Sequence, residues 1–509
     1  MNRVNPHPLR LRAIVTTGVV LATMSGCTVG PDFRRPEAPA VSTYTATPLP
    51  TTTVSAPVTG GAAQRLATKD DIPARWWELF RSPGLDQLIR SALKENPTLA
   101  AAQASLRQAR ENLAARSGTE YYPRVDATLS GSRQKASGAA FGQSNAGGFF
   151  YGLYNATVSV SYNLDLFGGG RRELEAFQSQ VDYQQYQMEA TYLTLTANIV
   201  TTAVQEASLR AQLNTTREII NLQEKQLELV ERQFQLGGVA RSDVLAQQTQ
   251  VAQTRAGLPP LEKALTQTRN QLAVYSGRLP SEASLPEFDL ERLQLPQELP
   301  LSVPSLLVRQ RPDILASEGL LHAAAAQVGV ATANLYPQIT LTAGMGSQSG
   351  RIQDLFAPGT SIWSLGAGLV QPLFRGGELT ARRRAAIAAF DQAAAQYRGT
   401  VLQAFQNVAD VLQALEADAH SLAAQADAEK AARDTLELTQ RQFQFGAVGY
   451  SALLNAQRQH QQTRISLVQA RAARFADSAA LFQALGGGWW NREPEPSPAT
   501  TATKQTTSR

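Results

Sequence analysis

Residues 227–255 read LELVERQFQLGGVARSDVLAQQTQVAQTR and residues 436–464 read LELTQRQFQFGAVGYSALLNAQRQHQQTR. At an offset of 209, 16 of the 29 positions are identical. A stretch carried twice commits the chain to an internally repeated design. Each copy is a polar, heptad-like helix, a glycine break and a second helix. Gly237-Gly238 and Gly446 are expected to supply the left-handed residue that ends the first helix, and Ser242 and Ser451 to N-cap the next. Each copy reads as a helical hairpin.

The helix leading into each hairpin is very long. From Arg171 to Leu236 there is no proline, which allows on the order of 100 Å of helix at about 1.5 Å per residue. Apolar residues recur every seven positions at Tyr192, Ile199, Leu213, Ile220, Leu227 and Phe234, with Glu206 the exception. The second copy gives Val401, Val408, Leu415, Leu422, Leu436 and Phe443, with Glu429 the exception. A sustained heptad stripe marks coiled-coil packing rather than burial in a globular core. The return helices run from Ser242 to Tyr275 and from Ser451 to Leu485, and only the first is interrupted, at Gly257-Leu258-Pro259-Pro260.

Between the helices lie stretches of the other period. Val125, Ala127 and Leu129 alternate with Asp126, Thr128 and Ser130, and Ala156, Val158, Val160, Tyr162 and Leu164 with Thr157, Ser159, Ser161 and Asn163. The second half repeats this, with Ile339, Leu341 and Ala343 against Thr340 and Thr342. Trp363, Leu365, Ala367 and Leu369 then alternate with Ser364, Gly366 and Gly368. Such alternation fits strands that are greasy on one face and wet on the other, either in a membrane barrel or half-buried in a soluble sheet. No run of 18 continuous apolar residues follows the first 26, so any membrane crossing is expected to be made by strands. Four strands cannot close a barrel, and open edges are not tolerated in lipid. A barrel therefore has to be shared: three copies give twelve strands, two give eight.

The chain opens with Arg3, Arg10 and Arg12 before an apolar run, and ends that run at Met24-Ser25-Gly26-Cys27. This reads as a signal peptide (1–26) with a lipobox-like end, Cys27 becoming the acylated first residue. Cys27 is the single cysteine, so it has no disulfide partner within the chain. Thr28 is not the Asp that retains bacterial lipoproteins at the inner membrane. Without the three arginines the formal net charge falls from +5 to about +2, so no nucleic-acid partner is inferred.

The remaining organisation follows from composition. Residues 27–70 read as an extended, lipid-anchored segment, 71–277 as the first repeat, 278–303 as a Pro-rich connector, 304–488 as the second repeat and 489–509 as a disordered tail. The four histidines, His7, His322, His420 and His460, are scattered, which argues against a metal site. The glycines at 168–170 lack the Gly-Lys-Ser/Thr continuation of a phosphate loop and suit a strand-to-helix turn. No nucleophile–base arrangement stands out, and the chain does not read as an enzyme or as needing a cofactor beyond the covalent lipid on Cys27.

Together these residues resemble the outer-membrane factor family, the TolC-like and NodT-like efflux lipoproteins of tripartite resistance-nodulation-division pumps. The text that carries the resemblance is Cys27-Thr28-Val29-Gly30-Pro31-Asp32-Phe33, WWELFRSPGLDQLIRSALKENPTLAAAQASL (76–106), SLLVRQRPDI (305–314), the paired FGGGRR and FRGGEL turns, and the two hairpin tips. The resemblance implies a mixed α/β membrane protein, a homotrimer sharing a twelve-stranded outer-membrane barrel that continues into a helical coiled-coil periplasmic tunnel. It implies a passive exit duct for small molecules in the outer membrane of a Gram-negative bacterium, in contact with outer-membrane lipid. A periplasmic adaptor and an inner-membrane transporter would be its partners. A type I protein-secretion duct shares the architecture. A lipid-anchored coiled-coil scaffold would explain the helices but not the strands.

The tips are where function is expected. Asp243 with Arg241 in the first copy, and Ser451, Asn455 and Arg458 in the second, are the candidate periplasmic gate. The family typically carries an acid where this chain has Asn455. Leu236, Gly237, Phe445 and Gly446 are the candidate adaptor-docking surface.

Overall fold

The computed structural model describes residues 28–47, 50–67, 71–137 and 148–492. The expected signal peptide and Cys27 lie outside the described residues. In chain order the elements are β1 (Arg65–Ala67), a 3-10 turn (Trp76–Phe80), α1 (Pro83–Glu95), α2 (Pro97–Tyr121), β2 (Arg124–Ala136), β3 (Phe149–Leu164), α3 (Gly169–Gln235), α4 (Arg241–Ala256) and α5 (Leu258–Tyr275). There follow β4 (Glu298–Pro300), α6 (Pro304–Gln310), α7 (Pro312–Ala333), β5 (Gln338–Ser349), β6 (Ser361–Val370), α8 (Glu378–Gln444) and α9 (Tyr450–Ala484). The chain gathers into two compact units. One holds the described part of Met1–Pro36 with Ser105–Gln185 and Ala316–Arg398; the other holds Glu37–Ala104, Tyr186–Leu315 and Gly399–Arg509. Each unit draws on both halves of the sequence, so the repeats are not separate bodies.

In the first unit a four-stranded antiparallel sheet runs β2-β3-β5-β6. Its register sorts side chains by polarity, because directly opposed residues share a face. One face carries the rows Val125–Val160–Ala343–Leu365 and Ala127–Val158–Met345–Trp363. The other carries Arg124–Ser161–Thr342–Gly366 and Asp126–Ser159–Gly344–Ser364. Leu129, Met345, Trp363, Leu365 and Leu369 are all at least 64% exposed. A soluble sheet would cover such a row; this one leaves it bare.

The segment after Cys27 is not a free connector. Val29 N donates to Phe167 O (3.0 Å), and Asp32 meets the buried Arg172 guanidinium at 2.6 Å. Phe33 stacks on His322 (4.2 Å) and Arg35 pairs with Glu318 (2.6 Å). Gly30, at φ 96°, lies so close to Gly329 that a Cβ would stand 2.4 Å from its Cα. The motif text of residues 28–33 is thus a strap across the strand-to-helix turn and α7. By length and apolarity α7 is able to cross a bilayer, although it has no unbroken apolar run. More than half of it is buried, its Glu318 is ion-paired with Arg35 and its His322 is hydrogen-bonded to Glu175.

The second unit has its core around the 3-10 turn. Trp76, Trp77 and Phe80 are buried among Ile199, Leu272, Phe475 and Phe482, with Trp76 stacked on Phe482 at 5.2 Å. The N-terminal segment is tied in here too: β1 pairs in parallel with β4. The buried Arg474 guanidinium donates to Gly60 O, Thr53 Oγ1, Ala62 O and Gln64 Oε1. Of the expected disordered tail, residues 489–492 are ordered, and 493–509 lie outside the described residues. Trp489–Asn491 form a 3-10 turn, Trp489 Nε1 donates to Gln310 O (2.7 Å), and Arg492 pairs with Glu189 (2.8 Å). Trp490 Nε1 donates to Asp71 Oδ1 (3.1 Å), so two tryptophans with polar partners hold the chain down.

The heptad stripe is buried at Ile199, Leu213 and Ile220 in α3 and at Val401, Val408, Leu415 and Leu422 in α8. Its first exception is a hub. Glu206, fully buried, accepts from Arg210 (2.6 Å), Arg269 (2.9 Å) and Phe288 N (3.1 Å). Glu429, the second, pairs with Arg433 and His460.

Candidate functional site

The two tips end their long helices in the same way. Gly237 N donates to Phe234 O (2.9 Å) and Gly238 N to Gln233 O (2.8 Å). At the same offset of 209, Gly446 N donates to Phe443 O (3.0 Å) and Ala447 N to Gln442 O (2.8 Å). This is a Schellman pattern, which needs a left-handed residue; Gly237 has φ 77° and Gly446 φ 72°. A β-carbon at either would meet nothing within 4 Å, so the backbone angle alone demands glycine.

The N-caps differ from expectation. α4 starts after Ala240 and α9 after Gly449, so Ser242 and Ser451 sit inside the first turn rather than capping it. In the first tip the cap is made from within the helix: Asp243 Oδ2 accepts from Ala240 N (3.1 Å), satisfying a donor the helix cannot. Ala452, its counterpart, has no carboxylate to do so. Arg241 lies 5.7 Å over the Phe234 ring.

The tips pack against each other through a small apolar cluster. Val230 and Val244 of the first meet Tyr450, Leu453 and Leu454 of the second. Tyr450 Oη donates to Gln247 Oε1 at 2.6 Å, both buried. Burial, with the Asp243 carboxylate, raises the phenol above its ordinary range, so it stays a donor at any physiological pH. Further up, Glu218–Arg464 (2.7 Å) and Gln212–Gln469 (3.1 Å) tie α3 to α9. Sequence reading missed Tyr450. The available signal was that an aromatic stands where the first copy has Arg241, the one tip position where a charge is exchanged for a buriable ring.

Of the expected gate residues, only Asp243 and Arg241 have partners in the first tip. Ser451, Asn455 and Arg458 are exposed, and among the described residues none of them bonds to Asp243. The expected docking residues are bare: Leu236 is 86% and Phe445 87% exposed.

Bare apolar strands, doubled long helices and tips with exposed apolar ends define the molecule. The family model for outer membrane efflux proteins matches residues 88–278 and 303–487. The chain belongs to that family. An outer membrane efflux protein is a channel of the outer membrane rather than an enzyme. The toluene efflux pump outer membrane protein TtgC of Pseudomonas putida is 31% identical over 485 residues, spanning 94% of this chain and 96% of that protein. The pyoverdine export outer membrane protein OpmQ of Pseudomonas aeruginosa is 31% identical over 418 residues, 82% of this chain and 87% of that one. Among solved structures the outer-membrane channel OprN superposes with a TM-score of 0.81 at 27% identity, covering 91% of this chain and all of that one. The mixed α/β class, with barrel strands and a long helical tunnel, is the fold of these channels.

Proposed function

We propose that this outer membrane efflux protein is the exit duct of a tripartite pump, closed as a homotrimer whose twelve strands form one barrel. The observation that carries the reading is the sheet. β2 and β6 are its outer strands, and its apolar face is bare, so the strands are suited to meet lipid on one side and copies of themselves at both edges. The exposed start of α8, with Ile387 37% exposed in the run Ala385–Phe390, offers a further surface for a second copy. Small molecules are the supported cargo, since TtgC and OpmQ are named for toluene and pyoverdine; a protein-secretion duct has no such support. A covalent lipid on Cys27 would anchor the strap where helices meet strands.

In this reading the bare tips serve two tasks. Leu236 and Phe445, carried on the left-handed turns at Gly237 and Gly446, are suited to dock a periplasmic adaptor, which links the duct to an inner-membrane transporter. Asp243 and Arg241, with the exposed Ser451, Asn455 and Arg458, gate the mouth by contacts between chains. Cysteine pairs test the assembly. With Thr128→Cys in β2 and Ser364→Cys in β6, oxidation in outer membranes should give cross-linked dimers and trimers and nothing larger. A ladder stopping at two copies, or none, overturns the trimer.

A further inference from the structure

Some charges of the barrel sheet and its β5–β6 loop are neutralised locally. Arg124 pairs with Asp126 at 3.1 Å on the polar face, and Arg351, in the β5–β6 loop, pairs with Asp354 at 2.7 Å. Two charges have no such partner. Arg133 and Lys135 are exposed on β2, and among the described residues neither makes a salt bridge. The sequence offers none nearby: from residue 127 to 164 there is no Asp or Glu.

Their position is set by register. Arg133 opposes Gly152 and Lys135 opposes Phe150, an even number of residues along from Val125, Ala127 and Leu129, so they belong to the apolar face. The Phe150 ring, 65% exposed, has both cations over it, its centroid 6.0 Å from the Arg133 guanidinium carbon and 5.4 Å from Lys135 Nζ. From the Leu164 row to the Gly152 row is twelve residues of β3. At about 3.4 Å per residue and a tilt of about 40° that is roughly 30 Å of height, just past an apolar band about 25 Å tall. Exposed Tyr122 and Phe374 mark the other end, where strands join helices. The pair therefore stands at the rim away from the helices, at the level of the outer leaflet's headgroups. An aromatic and two cations at that depth match an interfacial lipid site.

We propose that Arg133, Lys135 and Phe150 bind the phosphate groups of an anionic lipid in the outer leaflet. The ring seats against the acyl boundary, while guanidinium and ammonium reach the phosphate, the first in a fork and the second as a point charge. The site rests on the reading of the four strands as a membrane span, but not on three copies, since β2 and β3 of one chain supply all of it.

The test uses full-length protein in nanodiscs of phosphatidylcholine doped with a bis-phosphorylated glucosamine lipid or its dephosphorylated form. Lipid retained per chain is counted by native mass spectrometry. Wild type should retain the phosphorylated lipid roughly tenfold better than the dephosphorylated one, and R133Q/K135Q should lose that preference. R133K/K135R should keep most of it. Millimolar inorganic phosphate should not displace the lipid. Equal retention by wild type and R133Q/K135Q, equal retention of the two lipids, or full displacement by free phosphate would each overturn the site. An unchanged heat-resistant oligomer and channel conductance in R133Q/K135Q separate loss of the site from loss of the barrel.

Discussion

Tyr450 Oη donates to Gln247 Oε1 at 2.6 Å, and this buried bond joins the second helical tip to the first. Tyr450 belongs to the Val230–Leu454 cluster, so the bond adds a polar tie to the apolar contact between the two tips. Tyr450→Phe keeps the ring and removes the donor. The expected cost is about 1–2 kcal/mol of local stability, or roughly tenfold faster hydrogen exchange in residues 227–255. Unchanged exchange there would show that the apolar cluster alone holds the tips together.

Glu206→Ala removes the acceptor shared by Arg210, Arg269 and Phe288 N. Because the arginines are only 24% and 30% exposed, losing their common partner should cost about 2–3 kcal/mol. It would be read as a lower dissociation temperature of the detergent-solubilised oligomer. Glu206→Gln, which can still accept from Phe288 N, should lose less.

Asp477 lies against Asp418, and burial followed by that neighbour's charge and hydrogen bond pushes its carboxyl up to about 7. Below about pH 4 the group is neutral folded or unfolded. Between about 4 and 7 the unfolded chain ionises freely while the folded one holds its proton, so stability falls as pH rises through that window. Thermal unfolding of Asp477→Asn should show a shallower decline over this range; an identical slope would remove Asp477 as the cause.

The strap makes a steric prediction. Gly30→Ala puts a methyl group against Gly329 Cα in a left-handed conformation, at a strain of about 1–2 kcal/mol before any clash. Residues 28–36 should then become accessible to limited proteolysis while the sheet stays protected. Protection equal to wild type would mean that the strap absorbs the change.

The elements that face two media were legible in the sequence. Val125 to Leu129 and Trp363 to Leu369 alternate because one side meets lipid and the other water, and the α3 stripe recurs because one helix meets another at fixed spacing. What stayed hidden depends on distant partners. Glu206 broke the stripe without revealing that Arg269, 63 residues on, would answer it. Asp32 and Phe33 could be quoted as motif text, yet their partners Arg172 and His322 lie 140 and more residues away. Ser242 and Ser451 looked like caps because serine favours that position, but both sit inside the first turn, and in the first tip Asp243 performs the task from within the helix. The tail beyond 488 looked polar until Trp489 found Gln310.

The duct reading meets its most direct test in single-channel recording from full-length protein in planar bilayers. Discrete steps that scale with bulk salt conductivity are expected, small at rest and larger when Asp243, Asn455 and Arg458 are all replaced by alanine. A correctly folded, membrane-inserted oligomer with no ionic conductance in either form would contradict the account.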